Sequence, residues 1–340
     1  MMEALLRWCT ARVTALPGET LRLVPVAGDA SFRRYFRLCG CEPTRIAVFA
    51  PPQSERNAEF VHVAAMLRAS GVHVPLVLAH GVAEGFLLLE DLGDALLLGA
   101  LDAASVEELY AGALDVLLRV QTTATRREGW TLPAYTGALL EQEMELFPHW
   151  CLERLLGIRL DMAEEALLRE LFARLVASAL EQPQVFVHRD YHSRNLMLLP
   201  GGEFGVIDFQ DAVHGPLTYD LVSLLRDCYV AWPVARVSGW AQGFAERARA
   251  AGTLGLDVSA TTFMRWFDWM GLQRHIKVLG IFARLWLRDG KSGYLRDLPR
   301  VMHYTHEVAL AHPQTAEFGR WFARRVLPMA SEQPWYRESP

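Results

Sequence analysis

Lysine is almost absent from this sequence, and the features of membrane, secreted and nucleic-acid-binding proteins are missing too. Only Lys277 and Lys291 occur among 340 residues, and the net charge of -5 comes from interspersed acids and bases, with no broad field for nucleic acid or anionic lipid. No apolar run approaches the roughly 20 residues of a membrane span. Glu3, Arg7 and Arg12 interrupt the N-terminal apolar pattern, which excludes a signal-peptide core. We therefore expect a cytoplasmic protein without nucleic-acid or membrane partners.

Cysteine is also sparse. Five scattered cysteines form an odd set, which favours reduced thiols over a disulfide framework. The pair Cys39-Gly40-Cys41 could start a metal site, but no second Cys/His pair lies nearby in sequence to complete four ligands. We predict a plain hairpin turn there.

The hydrophobic content of 51% is ample for a buried core, and the pattern divides the chain in two. From residue 21 to 90, five short β-rich runs surround one helical stretch, "SERNAEFVHVAAMLRASG", with Ser54 as its N-cap and Gly71 beyond its end. After "EDLGD" most segments have helical periodicity. The prediction is an N-terminal lobe over residues 1–90 and a C-terminal lobe over residues 91–340.

One β-like segment, "VFVHRDYHSRNLMLLPGGEFGVIDFQD", interrupts the helical half. A hairpin turning through residues 200–202 would bring Asn195 and Asp208 side by side. An amide oxygen and a carboxylate at adjacent strand ends suit Mg²⁺ with a nucleotide, and Asp190 could accept a proton from an attacking hydroxyl. The alternative is a charged loop that caps a helix.

"HRDYHSRN" followed by "IDF" resembles the catalytic loop and metal-binding segment of the kinase fold, and most closely the aminoglycoside phosphotransferase and choline kinase superfamily. The resemblance implies an α+β, protein-kinase-like fold of two lobes, with a small antiparallel sheet plus helix and a larger, mainly helical lobe. It also implies ATP as co-substrate, Asp190 as catalytic base, and Asn195 and Asp208 as Mg²⁺ ligands.

The residues next to this motif have weaker predictions. We expect His188 to hold the loop by hydrogen bonding, and Asp220 to cap a helix or tether the loop. His192 and Asp211 could reach substrate hydroxyls, although surface positions would explain them equally well.

Two segments are candidates for nucleotide contact. "LLLEDLG" resembles the superfamily's hinge, which implies main-chain contacts of Glu90 and Leu92 with adenine. In "GDASFRRYFRL", a turn at Gly28 followed by Ser31 could cover the phosphates with main-chain N–H groups. The segment is not G-x-G-x-x-G.

The usual third-strand pattern V-A-I-K corresponds here to "IAVF", so Ala47 is expected to face adenine and Phe49 stands in place of the phosphate-binding lysine. Either the protein is a catalytically dead relative, or an arginine of "SFRRYFR" replaces the lysine. Arginine binds phosphate oxygens in pairs, and we therefore favour Arg33 or Arg37 and an active enzyme.

Further segments, among them "GFLLLEDLGD", "DFQDAVHGPLTYDLVSLLRD" and "QRHIKVLGIFARL", resemble the bacterial family of anomeric kinases that act on N-acetylmuramate and N-acetylglucosamine in cell-wall recycling. Arg274 and Lys277 share a helical sector with Arg284 and Arg288 and could receive a sugar-acid carboxylate; a solvated helix face is the alternative. We expect a monomer that binds ATP and a small amino sugar. The alternatives are a kinase for an aminoglycoside, choline or homoserine, and a non-catalytic nucleotide-binding protein.

Overall fold

A computed structural model describes residues 1–26 and 32–337 of the chain. The β-strands, numbered along the chain, are β1 (Arg22–Pro25), β2 (Arg34–Cys39), β3 (Arg45–Phe49), β4 (Val77–Gly81), β5 (Phe86–Glu90), β6 (Arg126–Arg127), β7 (Trp130–Thr131), β8 (Gln184–Val187), β9 (Leu196–Leu198), β10 (Phe204–Val206) and β11 (Val213–Pro216). The α-helices are α1 (Met2–Thr10), α2 (Asn57–Ala69), α3 (Leu97–Ala100), α4 (Val106–Gln121), α5 (Gly137–Met144), α6 (Met162–Leu180), α7 (Tyr219–Leu225), α8 (Val234–Ala250), α9 (Ala260–Asp289), α10 (Leu298–Ala311), α11 (Ala316–Arg325), α12 (Leu327–Ser331) and α13 (Pro334–Arg337). A π-helix (Phe147–Leu155) and a 3₁₀-helix (Ser292–Asp297) complete the set.

The chain forms two compact units, and unit 1 consists of residues 1–131 and 194–212. Its main sheet has the order β1-β2-β3-β5-β4 with every pair antiparallel, which confirms the predicted small N-terminal sheet. The four apolar residues 86–89 of β5 are all buried, because this strand lies between β3 and β4.

The two faces of the sheet have different neighbours. Phe36 of β2 lies opposite Ala47 of β3, and both pack with Leu5 and Cys9 of α1 in one buried cluster. Side chains alternate between faces along a strand, so the adjacent pair of Tyr35 and Val48 points to the other face.

The helix predicted to begin at the Ser54 cap begins later. α2 starts at Asn57 with Arg56 in the cap position, because Ser54 and Glu55 are in a turn in which both N–H groups bond to the carbonyl of Pro51. Glu55 is therefore outside the helix. Gly71 follows the helix end with a φ of 76°, as its position in the sequence predicts.

Unit 1 also contains the hairpin of β9 and β10. The unit therefore extends beyond the predicted N-terminal lobe, which ended at residue 90. The N–H of Val206 donates to His73 O (2.8 Å), and that of Leu198 donates to Ala95 O (2.7 Å). These bonds attach the hairpin to the N-terminal part of the chain across more than 100 residues of sequence. Sequence order alone therefore does not define this unit.

Unit 2 consists of residues 132–193 and 213–340 and is mainly helical. Its central element is α9, which begins at the Ser259 cap, where Oγ accepts from Thr262 N (3.0 Å), and ends at Gly290 in the left-handed conformation. The π-helix, α6, α7 and α10 contact α9. A long helix buried on most of its surface can position several polar side chains inside the core.

The cysteines and the length of the helices bear on two general expectations. All five cysteines are free, and Cys39 and Cys41 flank a turn at Gly40. Over residues 1–26 and 32–337, no helix combines the length and apolar character needed to cross a bilayer.

Candidate active site

The hairpin of β9 and β10 positions Asn195 and Asp208 in unit 1. Leu196 pairs with Val206, and one step further the N–H of Ile207 donates to Asn195 O (3.1 Å). The turn uses Gly201 and Gly202, whose φ values of 88° and 82° favour glycine. The predicted hairpin is therefore present, and it brings the segments of Asn195 and Asp208 to its open end.

The donor chemistry at this end of the hairpin fits Mg²⁺. Asn195 is only 5% exposed, and Asp208 has a φ of 64°, an uncommon value for a residue other than glycine. Asp208 Oδ1 accepts from Gln210 Nε2 at 2.8 Å. No three His, Cys, Asp or Glu side chains of the described residues gather as a metal centre. A magnesium ion here would need phosphate and water oxygens as further ligands, as Mg²⁺ with a nucleotide does.

The loop that carries Asp190 belongs to unit 2 and follows β8, which pairs with β11. The buried carboxylate of Asp220 accepts from the main-chain N–H groups of His188 (2.6 Å) and Arg189 (2.9 Å). The N–H of Asp190 donates to His188 Nδ1 at 3.2 Å. His188 and Asp220 hold this loop, as the sequence interpretation expected.

A second tether holds the end of the same loop, and sequence reasoning did not identify it. Asp227, only 1% exposed, accepts from both the N–H (2.9 Å) and the Oγ (2.6 Å) of Ser193. It also accepts from Tyr229 N at 3.0 Å. The "RDC" in which Asp227 stands follows a helix and carries no local signal of this role.

The electrostatic surroundings of Asp190 favour its ionised form. Burial raises the pKa of Asp190, but the positive charges of Lys277, Arg274, His192 and Arg189 together outweigh it and hold the pKa at about 2. The carboxylate is therefore ready to accept a hydrogen bond or a proton throughout the neutral pH range.

Three of these cations, Lys277, Arg189 and Arg274, belong to a network centred on the buried Glu143, which sequence reasoning also missed. Lys277 Nζ lies 3.0 Å from Glu143 Oε1 and donates to the hydroxyl of Tyr219 at 2.8 Å. Arg189 and the hydroxyl of Tyr135 bind the same carboxylate. Glu143 comes from α5, more than forty residues before the loop, and no spacing in the sequence relates the two.

Arg274 and Lys277 therefore differ from the other members of the predicted basic sector. Arg274 donates to Arg189 O at 3.0 Å, and Arg274 and Lys277 are both buried. Arg288 is exposed and pairs with its neighbour Asp289, while Arg284 is partly buried. The four do not form one solvated basic stripe, because α9 is embedded in the helices of unit 2 over the turns that carry Arg274 and Lys277.

The remaining predicted substrate contacts lie in different units. His192 of unit 2 contacts the ring of Tyr229 edge-on, with centroids 5.3 Å apart. Asp211 of unit 1 lies 4.0 Å from Arg56, a distance at which a half-exposed pair contributes little.

At the nucleotide end, Gly28 and Ser31 lie outside the described residues. Arg37 is bound by two carboxylates: its Nε is 2.6 Å from Asp91 Oδ2 and its Nη2 is 2.8 Å from Asp94 Oδ1. Arg33 is buried and pairs with Glu55, with 3.2 Å between Nε and Oε2. The two candidate arginines thus have different partners.

Ala47 and the predicted hinge residues Glu90 and Leu92 have packing and hydrogen-bond partners within unit 1. Ala47 is fully buried with Leu5 and Cys9 of α1, on the sheet face opposite to that of Tyr35. The N–H of Glu90 already donates to Leu76 O (2.9 Å), so a contact of Glu90 with adenine would have to use its carbonyl oxygen. Leu92 packs closely against Gly205: a Cβ atom added to Gly205 would lie 2.7 Å from Leu92 Cδ1.

Comparison with known proteins identifies relatives over most of the chain. The family model "Phosphotransferase enzyme family" (APH) matches residues 22–257. The N-acetylmuramate/N-acetylglucosamine kinase of Pseudomonas aeruginosa is 45% identical over 310 residues, which are 91% of this chain and 90% of the relative. The enzyme of the same name from Neisseria meningitidis is 39% identical over 308 residues, covering 89% and 90% of the two chains.

Solved structures with the same fold are more distant in sequence. An ethanolamine kinase of Plasmodium vivax superposes with a TM-score of 0.63 at 12% identity, over 89% of this chain and 86% of that one. An aminoglycoside phosphotransferase with ADP bound has a TM-score of 0.59 at 11% identity, over 91% and 99%. These likenesses confirm the predicted kinase-like α+β fold.

Proposed function

The chain belongs to the phosphotransferase enzyme family, and on that premise we propose that it transfers the γ-phosphate of ATP to the anomeric (C1) hydroxyl of N-acetylmuramate and N-acetylglucosamine. The observation that carries the proposal is the half-buried, ionised Asp190 beside the cations of unit 2, in a chain whose relatives at 33% identity or more bear that enzyme name. Unit 1 would bind the nucleotide, and unit 2 would bind the sugar.

In this mechanism Asp190 orients the C1 hydroxyl and accepts its proton. The new bond forms between the sugar oxygen and the γ-phosphorus while the bond from phosphorus to the departing ADP oxygen breaks. A carboxylate whose pKa is about 2 is a weak base. The proton therefore moves late, when bond formation to phosphorus has made the hydroxyl acidic.

The network around Glu143 keeps the base in place during that step. Lys277 and Arg189 are held by Glu143, and Arg274 is held on the carbonyl of Arg189. Their shared charge stabilises the Asp190 carboxylate despite its burial. Asp220 and Asp227 hold the two ends of the loop by its main chain.

Asn195 and Asp208 would hold Mg²⁺, which when bound neutralises charge on the phosphate oxygens. The amide oxygen of the one and the carboxylate of the other meet that ion's preference for hard oxygen ligands. The carbonyl of Glu90 and the main chain of Leu92 are proposed to contact the adenine.

The charge around Asp190 also bears on the sugar. Two buried cations, Lys277 and Arg274, and the half-buried Arg189 accompany the carboxylates of Asp190 and Glu143. A neutral or anionic amino sugar suits this surrounding better than the cationic aminoglycosides and choline do. Since N-acetylmuramate and N-acetylglucosamine are cell-wall sugars, we place the reaction in peptidoglycan recycling.

The test is ATP consumption with Mg²⁺ across N-acetylmuramate, N-acetylglucosamine, choline and kanamycin. Phosphorylation at C1 removes the reducing end, so the product should fail a reducing-sugar assay and show a glycosyl phosphate by ³¹P NMR. A product that keeps its reducing end would exclude C1 as the acceptor. If only choline or kanamycin is phosphorylated, the acceptor is not one of the two N-acetylated sugars. If none of the four compounds is phosphorylated, a non-catalytic protein is favoured.

A further inference from the structure

One arginine of β2 attaches the hinge segment, defined here as residues 90–95, to the sheet. Arg37 lies opposite Ile46 of β3, which in turn lies opposite Leu89 of β5, so these three side chains share one sheet face. Asp91 stands two residues after Leu89, just past the end of β5, and continues that face. The side chain of Arg37 therefore reaches Asp91 across β3.

Arg37 binds the hinge segment through all three nitrogens of its guanidinium group. Nε and Nη2 donate to the two carboxylate oxygens of Asp91 at 2.6 and 3.1 Å. Nη1 and Nη2 donate to those of Asp94 at 2.9 and 2.8 Å, and Nη2 also lies 3.4 Å from Gly93 O. A planar fork bound in pairs by two carboxylates is the strong form of this interaction, and it leaves few donors for another anion.

Asp91 is the buried centre of this cluster. Its side chain is 6% exposed, whereas that of Asp94 is 72% exposed. Besides the bonds from Arg37, it accepts from Thr44 Oγ1 at 2.8 Å and from the main-chain N–H of Gly93 at 3.0 Å. Burial raises the pKa of Asp91, but the hydrogen bonds that it accepts, first among them those from Arg37, outweigh burial and lower the pKa. The carboxylate is therefore ionised and paired at neutral pH.

These bonds fix the main chain on both sides of Leu92. The bond from the Gly93 N–H to Asp91 Oδ1 closes a tight turn over Leu92, and Gly93 has a φ of 85°, which favours glycine. Within residues 1–26 and 32–337, no group accepts a hydrogen bond from the main-chain N–H of Leu92. This N–H is the donor that the proposed adenine contact of Leu92 would use.

The hinge segment is also attached to the hairpin of β9 and β10. Leu92 packs against Gly205 of β10, and Ala95 O accepts from the N–H of Leu198 of β9 at 2.7 Å. The segment thus has Arg37 of β2 on one side and the hairpin of the proposed metal ligands on the other. Without Arg37, only the attachment to the hairpin and the bonds from Thr44 and Gly93 would hold it.

We infer that Arg37 is a positioning residue for nucleotide binding, which together with Asp91 fixes the main chain of Leu92 and thereby its contact with adenine. The inference rests on the proposed function, because it concerns the adenine of the same ATP. The sequence makes Arg37 a candidate for phosphate binding. Its bonds to residues 91–94 instead assign it to the adenine end.

The experiment compares two ligands, adenosine and the Mg²⁺ complex of the non-hydrolysable ATP analogue AMP-PNP, by calorimetric titration without sugar. Arg37→Ala should weaken the binding of both by the same factor, about tenfold, because a loosened hinge segment is competent to bind for only part of the time. Weaker binding of AMP-PNP alone would make Arg37 a phosphate contact. That result, or unchanged binding of both ligands, would overturn the inference.

Inosine distinguishes a positioned hinge segment from general damage to the protein. Inosine has an oxygen in place of the amino group of adenosine and a hydrogen on N1, so the carbonyl of Glu90 and the N–H of Leu92 should favour adenosine. In Arg37→Ala the ratio of adenosine to inosine affinity should fall at least about threefold, since a mobile main chain discriminates less. A ratio that stays at the wild-type value, or equal binding of the two nucleosides by the wild type, would refute the positioning role.

Variants of the partner and a matched control complete the test. Asp91→Asn should weaken both ligands, and the double variant with Arg37→Ala should bind no worse than Arg37→Ala, since the two residues act as one unit. Additive losses would contradict this. Arg37→Lys keeps the charge without the planar fork and should bind with intermediate affinity; it also gives the same comparison if Arg37→Ala does not fold. Arg22→Ala, at an exposed arginine of the adjoining β1, should bind both ligands like the wild type.

Steady-state kinetics separates this role from catalysis. With a sugar that the wild type phosphorylates, Arg37→Ala should raise KM for ATP about tenfold and keep kcat within about threefold of the wild-type value. A fall in kcat as large as the rise in KM would overturn the inference. The binding ratios decide the role of Arg37 whether or not a sugar is phosphorylated, and the acceptor panel with the wild-type enzyme decides the function.

Discussion

The carboxylate of Asp220 accepts hydrogen bonds from the main-chain N–H groups of His188 and Arg189, at 2.6 and 2.9 Å, and thereby sets the backbone that carries Asp190. Asp220 stands in the first turn of α7, some thirty residues after the loop, and is fully buried. Burial raises the pKa of Asp220 to about 7, although the two N–H groups and Arg274 lower it.

Asp220 should make stability fall as pH rises through its folded pKa. The pKa of the Asp220 carboxyl rises from 3.8 in the unfolded chain to about 7 on folding, so the native state binds the proton more tightly than the unfolded state does. This contribution is complete below about pH 4 and disappears between there and pH 7, with a slope of at most about 1.4 kcal/mol per pH unit. Urea unfolding from pH 4 to 7.5 should show this component in the wild type and not in Asp220→Asn. Parallel stability curves for the two proteins would refute it.

Replacing the proposed base should reduce turnover severely and leave nucleotide binding intact. In Asp190→Asn the amide cannot accept the hydroxyl proton, and we expect kcat to fall by roughly 10² to 10⁴. Binding of AMP-PNP with Mg²⁺ should change by less than about threefold. Initial rates and calorimetric titration measure the two quantities, with Glu170→Gln on the surface of α6 as control. Full activity of Asp190→Asn would exclude Asp190 as the base.

Lys277 should determine the acidic limit of activity. Burial raises the pKa of Asp190, and Lys277 is the strongest of the groups that bring it down to about 2. In Lys277→Met this pKa should therefore rise, so that Asp190 becomes protonated, and activity declines, at a higher pH than in the wild type. The pH profile of kcat/KM measures the shift. Lys291→Met, the other lysine of the chain, should leave the profile unchanged, and an unshifted acidic limb in Lys277→Met would contradict the assignment.

Asp208 should govern the dependence of nucleotide binding on magnesium. Asp208→Asn removes a charged oxygen ligand, so the Mg²⁺ concentration that half-saturates AMP-PNP binding should rise at least about tenfold. Loss of a residue that only hydrogen-bonds to a metal ligand already weakens metal binding by about this factor. Titration of Mg²⁺ at fixed AMP-PNP measures this value. Glu203→Gln at the turn of the same hairpin is the control. Equal Mg²⁺ dependence of Asp208→Asn and the wild type would remove Asp208 from the site.

The sequence by itself determined the local elements of the candidate site. The alternation of apolar residues and the turn at residues 200–202 predict a hairpin with Asn195 and Asp208 at its open end, which the strand pairing confirms. The five strands of the N-terminal sheet follow in the same way. Strands and hairpins depend on backbone geometry over a few residues, which the local sequence determines. The sequence also shows directly that the third strand has no lysine.

Only the tertiary structure decided which charged groups meet. Glu143 and Lys277 are more than 130 residues apart, and their 3.0 Å contact depends on the packing of α5 against α9. The partners of Arg33 and Arg37 are likewise distant in sequence: Arg33 pairs with Glu55, and Arg37 pairs with Asp91 and Asp94. A buried charge must find an opposite charge or a hydrogen-bond partner, and long-range packing, which local periodicity does not encode, determines which partner lies within reach.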